Sequence, residues 1–86
     1  MMPNVIPIEE KVGSWEDTLV VVETEGVNKI TIKMLKREFK FIYTFIKKNS
    51  PLDAKDVFDR FPKFDVESIL YDLRLMHLIY FKRKVK

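Results

Sequence analysis

At 86 residues, 47% apolar and 34% charged, the chain has material for one domain and for no second one. The absence of cysteine excludes disulfides, thiol catalysis and cysteine-ligated zinc, and two glycines are too few for a phosphate-cradling loop. The formal net charge of +3 is uneven: residues 1–26 set six carboxylates against Lys11 for −5, which leaves +8 on residues 27–86.

A basic body behind an acidic leader suits contact with nucleic acid, and equally a protein of mixed surface charge. No apolar run approaches the roughly 20 residues of a membrane-spanning helix. The start, Met1 to Pro7, has neither the basic opening nor the apolar stretch of a secretion signal. These features read as a cytoplasmic protein without membrane contact.

Residues 1–14, broken by Pro3 and Pro7 and closed by Gly13-Ser14, read as an irregular arm ordered by Ile6, Ile8 or Trp15. Residues 15–86 form the single domain. Thr18 to Glu25 is rich in β-branched residues and too short for a helix, so it reads as a strand. Val27 to Ile32 alternates apolar and polar residues. The two runs predict a β-hairpin across Glu25-Gly26, with Gly26 at positive φ.

From Lys33 the period changes. Leu35, Phe39, Ile42 and Ile46 fall at i, i+4, i+7 and i+11, one face of a helix over 33–48, widened by Met34, Phe41 and Phe45. Asn49-Ser50-Pro51 ends it. A short second helix follows, with Asp53 as its cap and Asp56 in its first turn, burying Val57, Phe58 and Phe61 before Pro62 stops it. Asp65 caps a third helix with the stripe Val66, Ile69, Leu70, Leu73 and Met76. Leu78-Ile79-Tyr80-Phe81 then reads as a strand, and Lys82 to Lys86 as a basic tail.

The order from residue 33 is helix, short extended link, helix, turn, helix and strand, and the third helix runs into Leu73-Arg74-Leu75-Met76-His77-Leu78-Ile79-Tyr80-Phe81. In this order and apolar spacing the chain resembles the winged-helix superfamily, a helix-turn-helix variant, over about 50 residues. The resemblance implies a wing after the third helix, yet the sequence stops about where that wing should turn back. A lone strand over 78–84 would leave an open edge, and the N-terminal hairpin can supply its partner. The expected fold is therefore α+β: a winged-helix-like domain of three helices and a small antiparallel sheet from strands near 18–25, 27–32 and 78–84.

Catalysis finds little support. His77, the one histidine, sits at a helix end beside apolar Leu78, without the positioned partner a general base needs. Ser14, Ser50 and Ser68 occupy turn or cap positions. Asp53, Asp56 and Asp59 have no histidine near them in sequence and read as solvated or capping groups, so neither metal, cofactor nor small-molecule substrate is expected.

Binding is the expected function, in transcription control or DNA maintenance. The resemblance implies that the third helix meets the major groove of double-stranded DNA. It would present Tyr71 and Arg74, although Asp65, Glu67 and Asp72 on the same helix repel phosphates. Lys82, Arg83, Lys84 and Lys86 in the tail, with Lys55, Arg60 and Lys63 around the turn between the second and third helices, would supply the salt-dependent phosphate contacts. Lys33, Lys36 and Arg37 oppose the dipole at the start of the first helix, a placement that an anion would relieve. The aromatic content of 13% is more than one small domain can bury, and Tyr43, Tyr71 and Leu75 are expected at the surface. Those three point to a second reading: an accessory subunit that docks on a protein partner or a second copy of itself, through the acidic face of the third helix with Tyr71 and Leu75 or through the N-terminal arm.

Overall fold

In the computed structural model, which describes residues 4–27 and 29–85, the β-branched run Thr18–Val22 forms strand β1. A single 3-10 turn at Trp15–Asp17 leads into it. Among the described residues there follow helix α1 (Lys29–Lys33), helix α2 (Arg37–Asn49), strand β2 (Leu52–Asp53), helix α3 (Ala54–Arg60), helix α4 (Val66–Leu75) and strand β3 (Ile79–Arg83). The fold is α+β, with four α-helices and a three-stranded antiparallel sheet of order β2-β1-β3.

β1 is the central strand. Its register with β3 runs from Thr18↔Arg83 to Val22↔Ile79, and with β2 from Leu19↔Asp53 to Val20↔Leu52. Thr18 and Val20 point into the core, while Leu19 and Val21 are half-exposed on the outer face, the alternation a sheet with one packed face requires. The far edge of β3 meets the N-terminal arm. Val5 bridges Lys82, Ile6 N donates to Phe81 O at 2.9 Å, and Arg83 N donates to Asn4 O at 2.8 Å. Part of that open edge is thereby covered, and Ile6 is buried. Asn4 to Ile6 of the arm thus lie along the sheet edge.

The predicted hairpin does not form. Gly26 takes φ +68° as expected, but the chain beyond it enters α1 and adds no second strand. The physical reason is competition: β3 pairs with the whole of β1 on one edge, and on the other β2 takes Leu19 and Val20 while Ser50 Oγ takes Val22 N, so little edge is left for residues 27–32. The alternation there is too short to dictate strand over helix. The sheet is completed by one N-terminal strand in place of a hairpin, and α1 is the helix absent from the three-helix expectation.

The predicted helix 33–48 accordingly begins later, at Arg37, with Lys36 as its N-cap. Lys33 ends α1, where a cation favours the dipole, so Lys33, Lys36 and Arg37 do not crowd one helix start. α2 ends at Asn49 as predicted, and Ser50 Oγ accepts from Val22 N at 2.8 Å, tying the helix end to β1. Asp53 makes no capping hydrogen bond to α3, whereas Asp65 caps α4 by accepting from Ser68 N at 3.3 Å.

α4 ends in a Schellman motif. His77 N donates to Arg74 O at 2.9 Å and Leu78 N to Leu73 O at 3.1 Å, with His77 at φ +59°. That turn drops Leu78 into the core and aims β3 back along β1. The inner sheet face carries Val20, Ile79 and Phe81. Against it pack Ile42 and Ile46 of α2, Val57 of α3, and Ile69, Leu70 and Leu73 of α4. Trp15 closes one side, edge-on to Phe58, Tyr71 and Phe81 at ring-centre distances of 5.4, 5.4 and 5.3 Å.

Candidate nucleic-acid interface

The residues expected to meet DNA do not lie on one surface. Arg74 is 6% exposed. Its Nη1 donates to Pro7 O at 3.3 Å and its Nη2 to Glu10 O at 2.9 Å, and its guanidinium lies 5.1 Å from the ring centres of both Tyr71 and Phe81. It holds the arm to α4 and is closed to a ligand. Tyr71 is half-buried in the same cluster, its hydroxyl accepting from Val12 N at 2.9 Å. α4 therefore presents Glu67, Ser68, Asp72 and Leu75 to solvent, and its exposed cation is lost.

The tail cations are engaged as well. Arg83 pairs with Glu10 at 3.0 Å and Lys84 with Asp53 at 2.9 Å. Lys82 is half-buried on the outer sheet face opposite Leu19. Lys86 lies outside the described residues. Lys55 is exposed in the first turn of α3, and Lys63 is exposed in the turn between α3 and α4.

Tyr43 is the other correction. It is 5% exposed, and burial raises its phenol above the ordinary pKa of 10.0 by disfavouring the phenolate. It follows Phe39 at i+4 and precedes Ile46 at i+3, which places it on the packed face of α2. Leu75 is at the surface as expected, 62% exposed. With Met34, Phe39, Asp72 and Met76 it borders a shallow groove of ≈ 400 Å³ between the start of α2 and the end of α4.

Cations and aromatics gather elsewhere, in a second groove of ≈ 780 Å³ between α2 and the α3–α4 turn. Lys40, Phe41, Thr44, Phe45 and Lys48 line one wall, at i, i+1, i+4, i+5 and i+8 along α2. This is one face of the helix, turned away from Ile42, Tyr43 and Ile46. Arg60 and Phe61 at the end of α3, and Phe64 in the turn, form the other wall. Phe61 stacks on Phe64 with ring centres 5.5 Å apart and planes inclined by 13°, and meets Phe45 edge-on at 5.6 Å. Arg60 lies 5.3 Å from the centre of Phe61, and Arg37 lies 5.3 Å from the centre of Phe41. Phe41 is 46% exposed. No carboxylate is among the described residues that line this groove.

Phe41 and Phe45 widen the apolar stripe of α2 and are expected in the core; Phe45 does pack against it, half-buried, whereas Phe41 is exposed. Their signal was the basic company they keep: Lys40, Thr44 and Lys48 share their face. The groove offers ring faces and cations, and no histidine or carboxylate is among the described residues that line it. Among the described residues no group of three His, Cys, Asp or Glu side chains is placed to hold a metal ion, and no helix is long and apolar enough to cross a membrane. Comparison with protein-family models, curated proteins and solved structures gave no match to this chain.

Proposed function

We propose that this protein is a non-catalytic DNA-binding domain of winged-helix type, acting in transcription control or DNA maintenance. What supports the fold reading is the succession α2, β2, α3, α4, β3, with β1 standing where the return strand of a wing would lie, between β2 and β3. The observation that carries the binding reading is the groove between α2 and the α3–α4 turn, where Lys40, Lys48 and Arg60 converge with no opposing carboxylate. The contact surface is thus this basic face and not the acidic exposed side of α4. Phosphates held there displace counterions, so affinity falls with salt at about 0.9 log units per log unit for each phosphate neutralised.

The test is fluorescence anisotropy with a labelled duplex and a labelled single strand, each titrated at two salt concentrations. Three phosphate contacts predict an affinity loss of about 40-fold between about 50 and 200 mM salt. No binding of either probe at the lower salt sinks the reading.

A second reading, a docking subunit, is favoured by Met34 at 79% and Leu75 at 62% exposure beside the ≈ 400 Å³ groove of α2 and α4. If a second copy covers them, sedimentation shows a concentration-dependent dimer that Leu75→Ser dissociates. A monomer at every concentration removes the homodimer form of this reading.

A further inference from the structure

We infer that the groove between α2 and the α3–α4 turn takes an unpaired stretch of nucleic acid strand, with bases laid against its phenylalanines and phosphates on its cations. The inference rests on the DNA-binding reading and names which form of nucleic acid the site selects.

Phosphate contacts to a duplex call for cations and hydrogen-bond donors, because the base faces are stacked inside. Phe41, 46% exposed, and the half-buried Phe45, Phe61 and Phe64, whose other sides pack on the core, would stay partly wet against a bare sugar–phosphate backbone and gain little. An unpaired strand offers base faces, and stacking on aromatic side chains is the sequence-tolerant way to hold them.

The pairing of residue types supports the same occupant. Three of the four rings directly follow a cation in the chain: Lys40-Phe41, Arg60-Phe61 and Lys63-Phe64. The fourth, Phe45, lies three residues before Lys48 on the same wall. Each nucleotide likewise brings one anion and one planar ring, so ligand and groove match in kind: three cations and four rings line the groove. Lys40 and Lys48 are eight residues apart on α2, about 12 Å along its axis at 1.5 Å per residue. The wall can therefore follow a strand over more than one nucleotide. Arg37 beside Phe41 and Arg60 beside Phe61 add guanidinium planes, which stack on bases as rings do. An acidic peptide would need alternating carboxylates and aromatics to match the groove equally well.

The experiment compares four probes of equal length at one low salt concentration, with the full chain: labelled oligothymidylate, the same strand with abasic sites throughout, a duplex, and a peptide alternating Glu and Phe. Oligothymidylate is expected to bind at least about 10-fold more tightly than the duplex and the abasic strand. Phe41→Ala should weaken oligothymidylate binding by about 5- to 150-fold, the usual range for one lost base–aromatic stack, and leave the abasic strand unaffected. Phe41→Trp should retain binding. Phe41 is nearly half exposed, so the Ala variant should melt close to the parent, and a melting curve checks that it folds. Equal affinity for duplex, abasic strand and oligothymidylate overturns the inference while leaving phosphate-driven DNA binding standing. Binding of the peptide alone overturns both and gives the groove to a protein partner. No binding of any probe overturns both as well.

Discussion

Arg74 combines in one side chain the roles of cation, packing element and hydrogen-bond donor. Two carbonyls of the arm and two aromatic rings surround its guanidinium, and its Nε has no hydrogen-bond partner among the described residues. Charge-assisted hydrogen bonds such as these contribute more than neutral ones, and the aliphatic stem packs besides. Arg74→Ala is expected to destabilise the fold by about 2–3 kcal/mol and to free the arm. Thermal melting reads the first effect, and faster tryptic cleavage after Lys11 reads the second. Tyr43 makes a pH prediction. Its folded-state pKa is raised, so the unfolded chain loses the phenolic proton first. Stability is unaffected well below the unfolded value and falls as pH rises through it toward the folded one. Tyr43→Phe should therefore flatten the alkaline fall in melting temperature above about pH 10 and change little at neutral pH; an unchanged alkaline profile would assign the loss to other groups.

Among the elements, α2 and α4 were legible because their signals are local. Their apolar residues recur at helical spacing over ten residues or more, Asp65 caps α4, and Asn49-Ser50-Pro51 closes α2. Residues 27–33 were not legible, because so short a run of mixed pattern satisfies a strand and a helix equally. Long-range pairing by β2 and β3 decides that contest. The end of α4 carries a stability prediction. His77 stands at φ +59° in the position that helix ends most often give to glycine. His77→Gly removes the strain of its side chain at a small cost in unfolded-state entropy, for a net gain of about 0.5–1 kcal/mol. At this chain length that is a rise of several degrees in melting temperature. A fall instead would mean that the imidazole makes a stabilising contact at the surface.

On the scale of the whole molecule, charge is sorted by tertiary contact. The acidic leader supplies Glu10 to Arg83 and backbone carbonyls to Arg74, and the start of α3 supplies Asp53 to Lys84. Exposed pairs of this kind contribute little stability, but they set carboxylates beside the tail. Lys40, Lys48 and Arg60 instead face the groove of α2 and the α3–α4 turn, whose described lining has no carboxylate. If DNA is held there, the triple variant Lys40→Ala, Lys48→Ala, Arg60→Ala should flatten the log–log salt slope by about 2.7, whereas Arg83→Ala with Lys84→Ala should change it much less. The reverse ranking, read by anisotropy over a salt series, would return the interface to the tail.

Local chemistry in the sequence determined the α+β class, the helix periods, the cap at Asp65, the strand character of Thr18–Val22 and Ile79–Arg83, and the surplus of aromatics. Each rests on residues within a few positions of one another, where backbone preference and apolar spacing act directly. Tertiary structure alone decided that β1 would be central, that Arg74 would be buried beneath the arm, and that the tail cations would find Glu10 and Asp53. It also joined Phe41 and Phe45 to Phe61 and Phe64 across two helices. Those outcomes depend on partners some 15 to 73 residues apart in the chain, and no local pattern encodes which distant group will arrive.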